Sequence, residues 1–337
     1  MTRALAAALL LVAGCAASPT AGPAPSTPGR ATGTAPLPAV APERSGAPVG
    51  SLTWHAGARL PRPVSEVGVA ALGAMVHVVG GYVDGHPGST THLVLDTTTG
   101  RWRTAAPLPV PLDHVGLVAL DGRLWAVGGY GARAGGTSGL LAWDPATDHW
   151  TAKASLPTRR GAGVAVALAG KLHYVGGRSS GRDVADHDVY DPATDRWTTA
   201  AAVPVARDHA AAAVVGGRLY VAAGRPGELR SLQVYDPRTD SWTPGPDLPT
   251  GRSSLAGAAL SGRFVVLGGE DAGERQVSAQ VEAYDPATHR WTALPSLPVP
   301  LQGIGAAVVA GRLYVPGGGP AAGGSRQSDA LLVLAGR

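Results

Sequence analysis

Short apolar segments alternate with turn residues along residues 51–337. Segments such as 115–120, 163–168 and 210–215 consist of small and apolar residues. Each is followed by a turn that ends in Gly-Arg or Gly-Lys, then by a second short apolar run and a glycine doublet. Glycine at such a turn permits the positive φ of a tight hairpin. The pattern therefore predicts many short antiparallel strands and argues against a helical fold.

A constant interval shows that these strands belong to one repeated unit. Each of six tryptophans is followed, 27 residues later, by the second residue of a Gly-Gly or Ala-Gly pair. The interval from that glycine to the next tryptophan is 21, 21, 20, 18 and 22 residues, so the length variation falls in one segment. A fixed frame with one variable loop indicates a structural repeat. The tryptophans are Trp54, Trp102, Trp150, Trp197, Trp242 and Trp291, and the glycines are Gly81, Gly129, Gly177, Gly224, Gly269 and Gly318.

Four strands, a to d, are predicted in each unit. Strand b ends at the glycine doublet, strand c ends at an aromatic-Asp-Pro turn such as 190–192 or 235–237, and strand d carries the tryptophan. This pattern resembles the kelch repeat over residues 51–337. The resemblance implies an all-β fold, a six-bladed β-propeller of four-stranded antiparallel blades around a central channel. No Walker or Rossmann pattern accompanies the glycines, so we interpret them as backbone devices and not as phosphate loops.

The two ends of the repeat array predict how the ring closes. The last unit supplies strands a, b and c and then ends without a tryptophan, whereas Trp54 has no strands of its own before it. The simplest solution is that residues 52–55 form the outer strand of the last blade, which removes an exposed seam. We expect the repeat tryptophans to pack between blades.

The N-terminus has the pattern of an export signal. Residues 1–15 contain a basic start, a short apolar run and a small-residue processing site, and the apolar run is too short to span a bilayer. Val-Ala-Gly-Cys at 12–15 resembles the lipobox of bacterial lipoproteins, which implies lipidation of Cys15; the alternative is an ordinary cleaved signal. Residues 16–50 are rich in Ala, Pro, Ser and Thr and predict a disordered linker. We therefore expect a lipid anchor at the cell membrane, with the propeller facing outward.

Composition restricts the partners. The net charge of +4 comes without a polybasic block, so nucleic acid is not an expected partner. A single cysteine excludes an intramolecular disulfide and a Cys-rich metal site. The expected partners are the membrane, through the lipid anchor, and a protein or glycan ligand, and the chain is expected to be a monomer.

One end of the propeller is predicted to carry the function. In an antiparallel four-stranded blade, the d-to-a and b-to-c connections emerge on the same face. Binding residues concentrate in variable loops held on a rigid scaffold. All the variable b-to-c loops lie on this face, at 82–91, 130–139, 178–187, 225–230, 270–280 and 319–329.

The constant frame also selects candidate ligand-binding residues. Arg160, Arg207 and Arg252 stand ten residues after their tryptophans in three consecutive units. They predict a basic arc at the channel mouth that binds an anionic group. The alternative is a common structural arginine paired with backbone carbonyls or an aspartate. Around the arc we place the other candidates, Glu66, Asp113, His114, Asp208 and His209.

The two Asp-His pairs are compatible with an oriented general base or with partial metal ligation. Because they come from units two blades apart, we expect them to lie too far from each other to share an ion, and we predict no metal and no cofactor. Galactose oxidase also contains kelch repeats, but its copper site needs a cysteine crosslinked to tyrosine. Cys15 is the only cysteine of this chain and belongs to the signal, so we exclude that oxidase activity.

A protein- or glycan-binding module is the leading interpretation, with catalytic residues unknown and an enzyme less favoured. The first alternative is a propeller enzyme or binder that acts on an acidic sugar, because the sialate mutarotases are similar six-unit kelch proteins. A structural role in the cell envelope is a further alternative.

Overall fold

A computed structural model describes residues 52–131, 136–227 and 229–336 of the chain. These residues form 26 strands and one short 3-10 turn, Ala322–Gly324. Six four-stranded antiparallel sheets account for all but two of the strands, which confirms the predicted all-β, six-bladed propeller. Within this part of the chain, no helix is long and apolar enough to cross a membrane. The predicted lipidation at Cys15 and the predicted linker at 16–50 lie outside the described residues.

The blades follow the chain in order, with strand a nearest the axis. Blade 1 contains β2 (Gly68–Leu72), β3 (Met75–Val79), β4 (His92–Asp96) and β5 (Arg101–Thr104). Blade 2 contains β6 (Gly116–Leu120), β7 (Arg123–Val127), β8 (Leu140–Asp144) and β9 (His149–Ala152). Blade 3 contains β10 (Val164–Leu168), β11 (Lys171–Val175), β14 (His187–Asp191) and β15 (Arg196–Thr199), and its b-to-c loop carries the hairpin β12 (Arg178–Ser179) and β13 (Arg182–Asp183).

The second half of the ring repeats this order. Blade 4 contains β16 (Ala211–Val215), β17 (Arg218–Ala222), β18 (Leu232–Asp236) and β19 (Ser241–Gly245). Blade 5 contains β20 (Ala256–Leu260), β21 (Arg263–Leu267), β22 (Val281–Asp285) and β23 (Arg290–Ala293). Blade 6 contains β24 (Ala307–Val309), β25 (Arg312–Pro316), β26 (Leu331–Gly336) and the N-terminal strand β1 (Leu52–Ala56).

The ring closes through the N-terminal strand, as the sequence predicts. β1 pairs antiparallel with β26, from Leu52 opposite Gly336 to Ala56 opposite Leu332. The outer strand of blade 6 therefore comes from the opposite end of the propeller sequence, and both ends of that sequence are held in one sheet.

The repeat tryptophans join neighbouring blades. Each indole Nε1 donates a hydrogen bond of 2.7–2.9 Å to a backbone carbonyl of the preceding blade. Trp54 of blade 6 thus donates to the carbonyl of Pro295 in blade 5, and Trp102 of blade 1 donates to Ala58 in blade 6. These hydrogen bonds fix the distance between neighbouring blades at their outer edge.

The glycine doublets join the blades nearer the axis. The N–H of the second glycine in each doublet donates to a carbonyl of the next blade, for example Gly81 to Leu112 at 2.9 Å and Gly177 to Arg207 at 2.8 Å. Gly81 has a φ of 92°, and a Cβ at this position would collide with the carbonyl oxygen of Ser65. Only glycine fits this approach without strain. In the described structure the doublets therefore serve close backbone contacts between blades.

Candidate functional site

A closed ring of backbone hydrogen bonds surrounds the channel at the face of the variable loops. The residue twelve positions after each tryptophan donates its N–H to the carbonyl of the equivalent residue in the preceding blade, at 2.7–3.1 Å. All six residues have a φ between 49° and 56°. The ring fixes where each side chain begins around the axis. Its members are Glu66, His114, Ala162, His209, Ser254 and Gly303.

These ring residues, together with the residue that follows each of them, line a cavity of about 100 Å³. Two further cavities follow it along the axis. The first, of about 130 Å³, shares lining residues such as Val67 with the cavity at the ring, and the second, of about 280 Å³, shares lining residues such as Leu117 with the first. Glycine, alanine, valine and leucine line both, and an isoleucine also lines the smaller one. Polar side chains are therefore concentrated at the loop-face end of the channel, which we call the channel mouth.

His114 lies between two carboxylates at this mouth. Its Nδ1 is 2.6 Å from Asp113 Oδ1, and its Nε2 is 3.1 Å from Glu66 Oε2. Burial lowers the pKa of His114, but the charges and hydrogen bonds of Glu66 and Asp113 outweigh burial and raise it to about 10. Burial raises the pKa of Glu66, but the charge and hydrogen bond of His114, together with the charges of His209 and Arg225, outweigh burial, so the pKa of Glu66 is lowered. At neutral pH a cationic imidazole therefore bridges two carboxylates.

His209 completes a cluster with His114 and Glu66. The two imidazole rings are 4.9 Å apart between centroids and nearly perpendicular, and one donor atom from each of the three residues lies within 4.8 Å of the others. The expectation that histidines two blades apart lie too far from each other is therefore wrong. The reason is that side chains at the ring positions face the axis, where the blades converge and distances across the channel are shortest.

Asp208 is an unsatisfied buried carboxylate beside this cluster. Its side chain is fully buried, and its Oδ1 lies 3.1 Å from His209 Nδ1. Neither carboxylate oxygen has a partner with hydrogen-bond geometry among the described residues. Burial raises the pKa of Asp208, but His209, Arg225 and Arg178 outweigh it, so the pKa is lowered and the group is ionised at neutral pH. An ionised, buried carboxylate without a full set of partners is costly and is commonly a functional feature.

The predicted basic arc does not reach the channel. Arg160, Arg207 and Arg252 are 0%, 1% and 1% exposed. None of the three side chains lines the axial cavities that the described residues enclose. The prediction that they present free positive charge at the mouth is wrong. The alternative describes the structure, since each guanidinium donates to backbone carbonyls of its own blade.

Each of these arginines also meets a polar side chain deep in its blade. Arg160 is 2.8 Å from the carboxylate of Asp188 and donates to the carbonyl of Gly176 at 2.9 Å. Arg252 pairs in the same way with Glu282, and Arg207 donates to the hydroxyl of Ser231 at 2.8 Å. Each of these three side chains therefore connects the end of strand b with the start of strand c in its own blade.

A second ring of side chains at the mouth was not found from the sequence. It consists of the residues directly after the glycine doublets, which pair by backbone bridges with the residues eleven positions after each tryptophan. Tyr82 and Tyr130 pack their rings against His114, with centroids 5.6 Å and 5.2 Å away. Burial, followed by the charge of Asp113, raises the pKa of Tyr82 to about 12. The other polar members are Arg178, Arg225 and Glu270.

The two arginines of this second ring are neutralised by neighbouring carboxylates. Arg225 lies 2.9 Å from Glu270 and 2.8 Å from Glu274, and Arg178 lies 2.8 Å from Asp183. Glu270 also accepts hydrogen bonds from the hydroxyl of Ser254 and from a backbone N–H of the last b-to-c loop. The channel mouth is therefore mixed in charge and rich in carboxylates.

Comparisons with known proteins agree with this architecture. A family model described as the Kelch motif matches residues 111–157, 206–249 and 251–298. A solved structure of YjhT superposes with a TM-score of 0.73 at 17% sequence identity, covering 82% of this chain and 96% of that one. No curated protein gives a significant match. The chain is therefore a β-propeller with six four-stranded blades, and three of its segments match the Kelch motif.

Proposed function

We propose that the protein is an exported binding module that takes a glycan at the channel mouth. The observation that carries the proposal is the convergence of Glu66, His114, His209 and Ser254, from four different blades, on one cavity. Sugar hydroxyls both donate and accept hydrogen bonds, so carboxylates, imidazoles and hydroxyl groups are suitable partners. Few, convergent polar groups in a preformed concave site are typical of small-ligand recognition.

A neutral saccharide suits this mouth better than an acidic one. Among the described residues, the carboxylates of Glu66, Asp113, Asp208 and Glu270 lie there, and the nearby Arg178 and Arg225 are already paired with carboxylates. The three arginines on which the acidic-sugar alternative rested are buried in their blades. Among the described residues the carboxylates outnumber the cations His114, Arg178 and Arg225, so an anionic ligand would meet net repulsion. The alternative loses the support of the arginines and keeps only the resemblance to the sialate mutarotases.

Export and membrane anchoring belong to the same proposal and rest on residues 1–50 alone. The lipobox-like tetrad at 12–15 and the Pro-rich linker support an outward-facing module held by a lipid at Cys15. A polyproline-like linker of this length reaches roughly 100 Å, which would place the propeller among surface polysaccharides.

A glycan array that carries neutral and acidic saccharides tests the proposal on the full-length chain. We expect binding to neutral saccharides, and an affinity roughly 10- to 150-fold weaker for Glu66→Gln, because one charge-assisted hydrogen bond is worth roughly 1.5–3 kcal/mol. The matched control is His149→Ala, an exposed histidine at the start of β9, where the c-to-d turn reaches the opposite face. Binding confined to acidic saccharides, or equal binding by Glu66→Gln and the wild type, would contradict the proposal.

A further inference from the structure

We infer that Glu66, His114 and His209 form a binding site for a divalent transition-metal ion of the Zn²⁺ type. The three side chains come from blades 1, 2 and 4, and one donor atom of each lies within 4.8 Å of the other two. The inference goes beyond the proposed glycan function and does not depend on it, because a metal can bind at this position without a saccharide.

The donor set suits such an ion. Two imidazoles and one carboxylate hold zinc in sites that keep a fourth position open for water or substrate. Other divalent transition metals accept the same ligands. The cavity of about 100 Å³ that the three residues line leaves space for that fourth ligand.

Each histidine has an aspartate beside Nδ1, the ring nitrogen that would not bind the ion. Asp113 lies 2.6 Å from Nδ1 of His114, and Asp208 lies 3.1 Å from Nδ1 of His209. A carboxylate in this place orients a metal-binding imidazole through Nδ1. At Nε2 of His114 the ion replaces the proton that lies between this nitrogen and Glu66, and the proton is released to solvent. The two Asp-His pairs found in the sequence thus provide two oriented ligands, and not two separate acid-base pairs.

The unsatisfied carboxylate of Asp208 is an independent observation that points the same way. Both of its oxygens are buried and lack a hydrogen-bond partner among the described residues, as does Nδ1 of His209. When His209 binds a metal through Nε2, its proton is held on Nδ1, directly beside Asp208. A small rotation of the imidazole then supplies the missing hydrogen bond.

The required movement is small, because the three donor atoms already lie within 4.8 Å of one another. Glu66 Oε2 and His114 Nε2 are 3.1 Å apart, close to the separation of about 3.3 Å between ligand atoms in a tetrahedral site with bonds of 2.0–2.1 Å. His209 lies beside the cavity and closes the remaining gap by side-chain rotation. In blade 6 the equivalent ring residue is Gly303, where a Cβ would collide with the Glu66 carboxylate. Glycine at this ring position therefore leaves the space that the Glu66 carboxylate occupies.

Titration of the full-length chain with ZnCl₂, after treatment with a chelator and dialysis, tests the inference. Calorimetry is expected to show one Zn²⁺ per chain with micromolar or tighter affinity, together with a higher melting temperature. His209→Ala keeps the pair between His114 and Glu66, so a purely structural pair would be unaffected by it. We expect this variant to lose Zn²⁺ affinity by more than about 100-fold, and Asp208→Asn to lose about 10–100-fold.

His149→Ala is the matched control and is expected to bind Zn²⁺ like the wild type. Absence of saturable Zn²⁺ binding in the wild type, or unchanged affinity in His209→Ala, would overturn the inference. If His209→Ala does not fold, Glu66→Gln replaces it, with the same expected loss and the same contradicting result. Saccharide binding that persists in chelator beside a flat Zn²⁺ titration would overturn the metal site and leave the glycan proposal standing.

Discussion

Two positions of the d-to-a connection have side chains that point in different directions. The residue ten positions after each tryptophan points into its own blade, where Arg160 finds Asp188 on strand c. The residue two positions later faces the axis, where His114 and His209 meet. The constant frame shows that such residues are equivalent, but side-chain direction depends on partners from strands distant in the sequence. The candidate residues could therefore be found from the sequence, but their roles could not.

Arg160 is expected to stabilise the fold and not to bind ligand. Arg160→Ala leaves the buried carboxylate of Asp188 without its cation, and breaking a buried pair in this way costs about 3–5 kcal/mol. Urea unfolding measures the loss. Arg123→Ala, which removes a half-exposed partner of Asp144, should change stability little. Equal stability of the two variants would show that the Arg160 pair contributes nothing.

Two pairs of core histidines couple stability to pH. His77 Nδ1 lies 3.0 Å from His92 Nε2, and His92 Nδ1 lies 3.1 Å from the carbonyl oxygen of Ala106. Because a carbonyl only accepts, His92 donates through Nδ1. With both rings neutral, Nε2 of His92 then accepts a hydrogen bond from Nδ1 of His77. The second pair, His173 and His187, repeats the arrangement.

Burial lowers the pKa of His77 to about 3 and those of His92 and His173 to about 4, from an ordinary value of 6.5. It lowers the pKa of His187 as well. The unfolded chain therefore binds more protons than the folded chain below pH 6.5. The stability that the neutral pairs provide is complete above that pH and is lost as the pH falls toward 4.

Neighbouring charges modify the pKa values of these buried histidines, but the pKa values stay below 6.5. Arg103 and Asp148 face the first pair, while Lys171, Arg160, Asp188 and Asp240 face the second. Chemical denaturation at a series of pH values should show stability falling between pH 6.5 and 4, with a smaller slope in His92→Gln. An unchanged slope in that variant would contradict the assignment.

The outer strand of blade 6 is expected to hold the ring shut. Removal of residues 1–57 deletes β1 and leaves β26 as an open edge, whereas removal of residues 1–48 leaves β1 intact. The longer deletion should lower the melting temperature sharply and the shorter one should not. Equal melting of the two truncated chains would contradict closure by β1.

Trp54→Ala tests the same closure with a single side chain. The indole is half-buried and donates to the carbonyl of Pro295 in blade 5 at 2.8 Å. We expect a loss of about 3 kcal/mol, the lower end for a tryptophan truncation, measured by urea unfolding. A change near zero would show that the bond between blades 6 and 5 contributes little.

Strands were predicted to within about one residue where a turn fixes them. The segment 115–120 corresponds to β6, Gly116–Leu120, because the turn after it requires the positive φ of Asp121 and Gly122. The b-to-c loops repeat no pattern, so the hairpin of β12 and β13 had no signal in the sequence. The residues after the glycine doublets did have one, since they stand at a constant distance from each tryptophan, as Tyr82 and Tyr130 show.

The whole chain combines a rigid propeller with a proposed membrane anchor. If Cys15 is lipidated, Cys15→Ser should move the protein from the membrane fraction to the soluble exported fraction, because the acyl chains are the anchor. Fractionation of cells that express each form measures this. An unchanged distribution would contradict lipid anchoring at this residue.

The architecture of the propeller could be predicted almost completely, and the site only in part. Glu66, Asp113, His114, Asp208 and His209 were selected because the repeat places them at one end of the channel. The sequence gives their angular order around the axis but not the width of the channel, so the contact between His114 and His209 was not foreseen. The repeat frame therefore predicts which residues belong to the site, but their contacts depend on how closely the blades pack.

Nuclear magnetic resonance of isotope-labelled histidine side chains tests most directly whether the channel mouth is the ligand site. The chain has ten histidines, which report on both faces and on the core. When the best neutral saccharide from the array is added, the ring signals of His114 and His209 should shift, while those of the exposed His55 and His149 stay in place. Shifts at His55 or His149, with His114 and His209 unchanged, would place the ligand elsewhere and contradict the account.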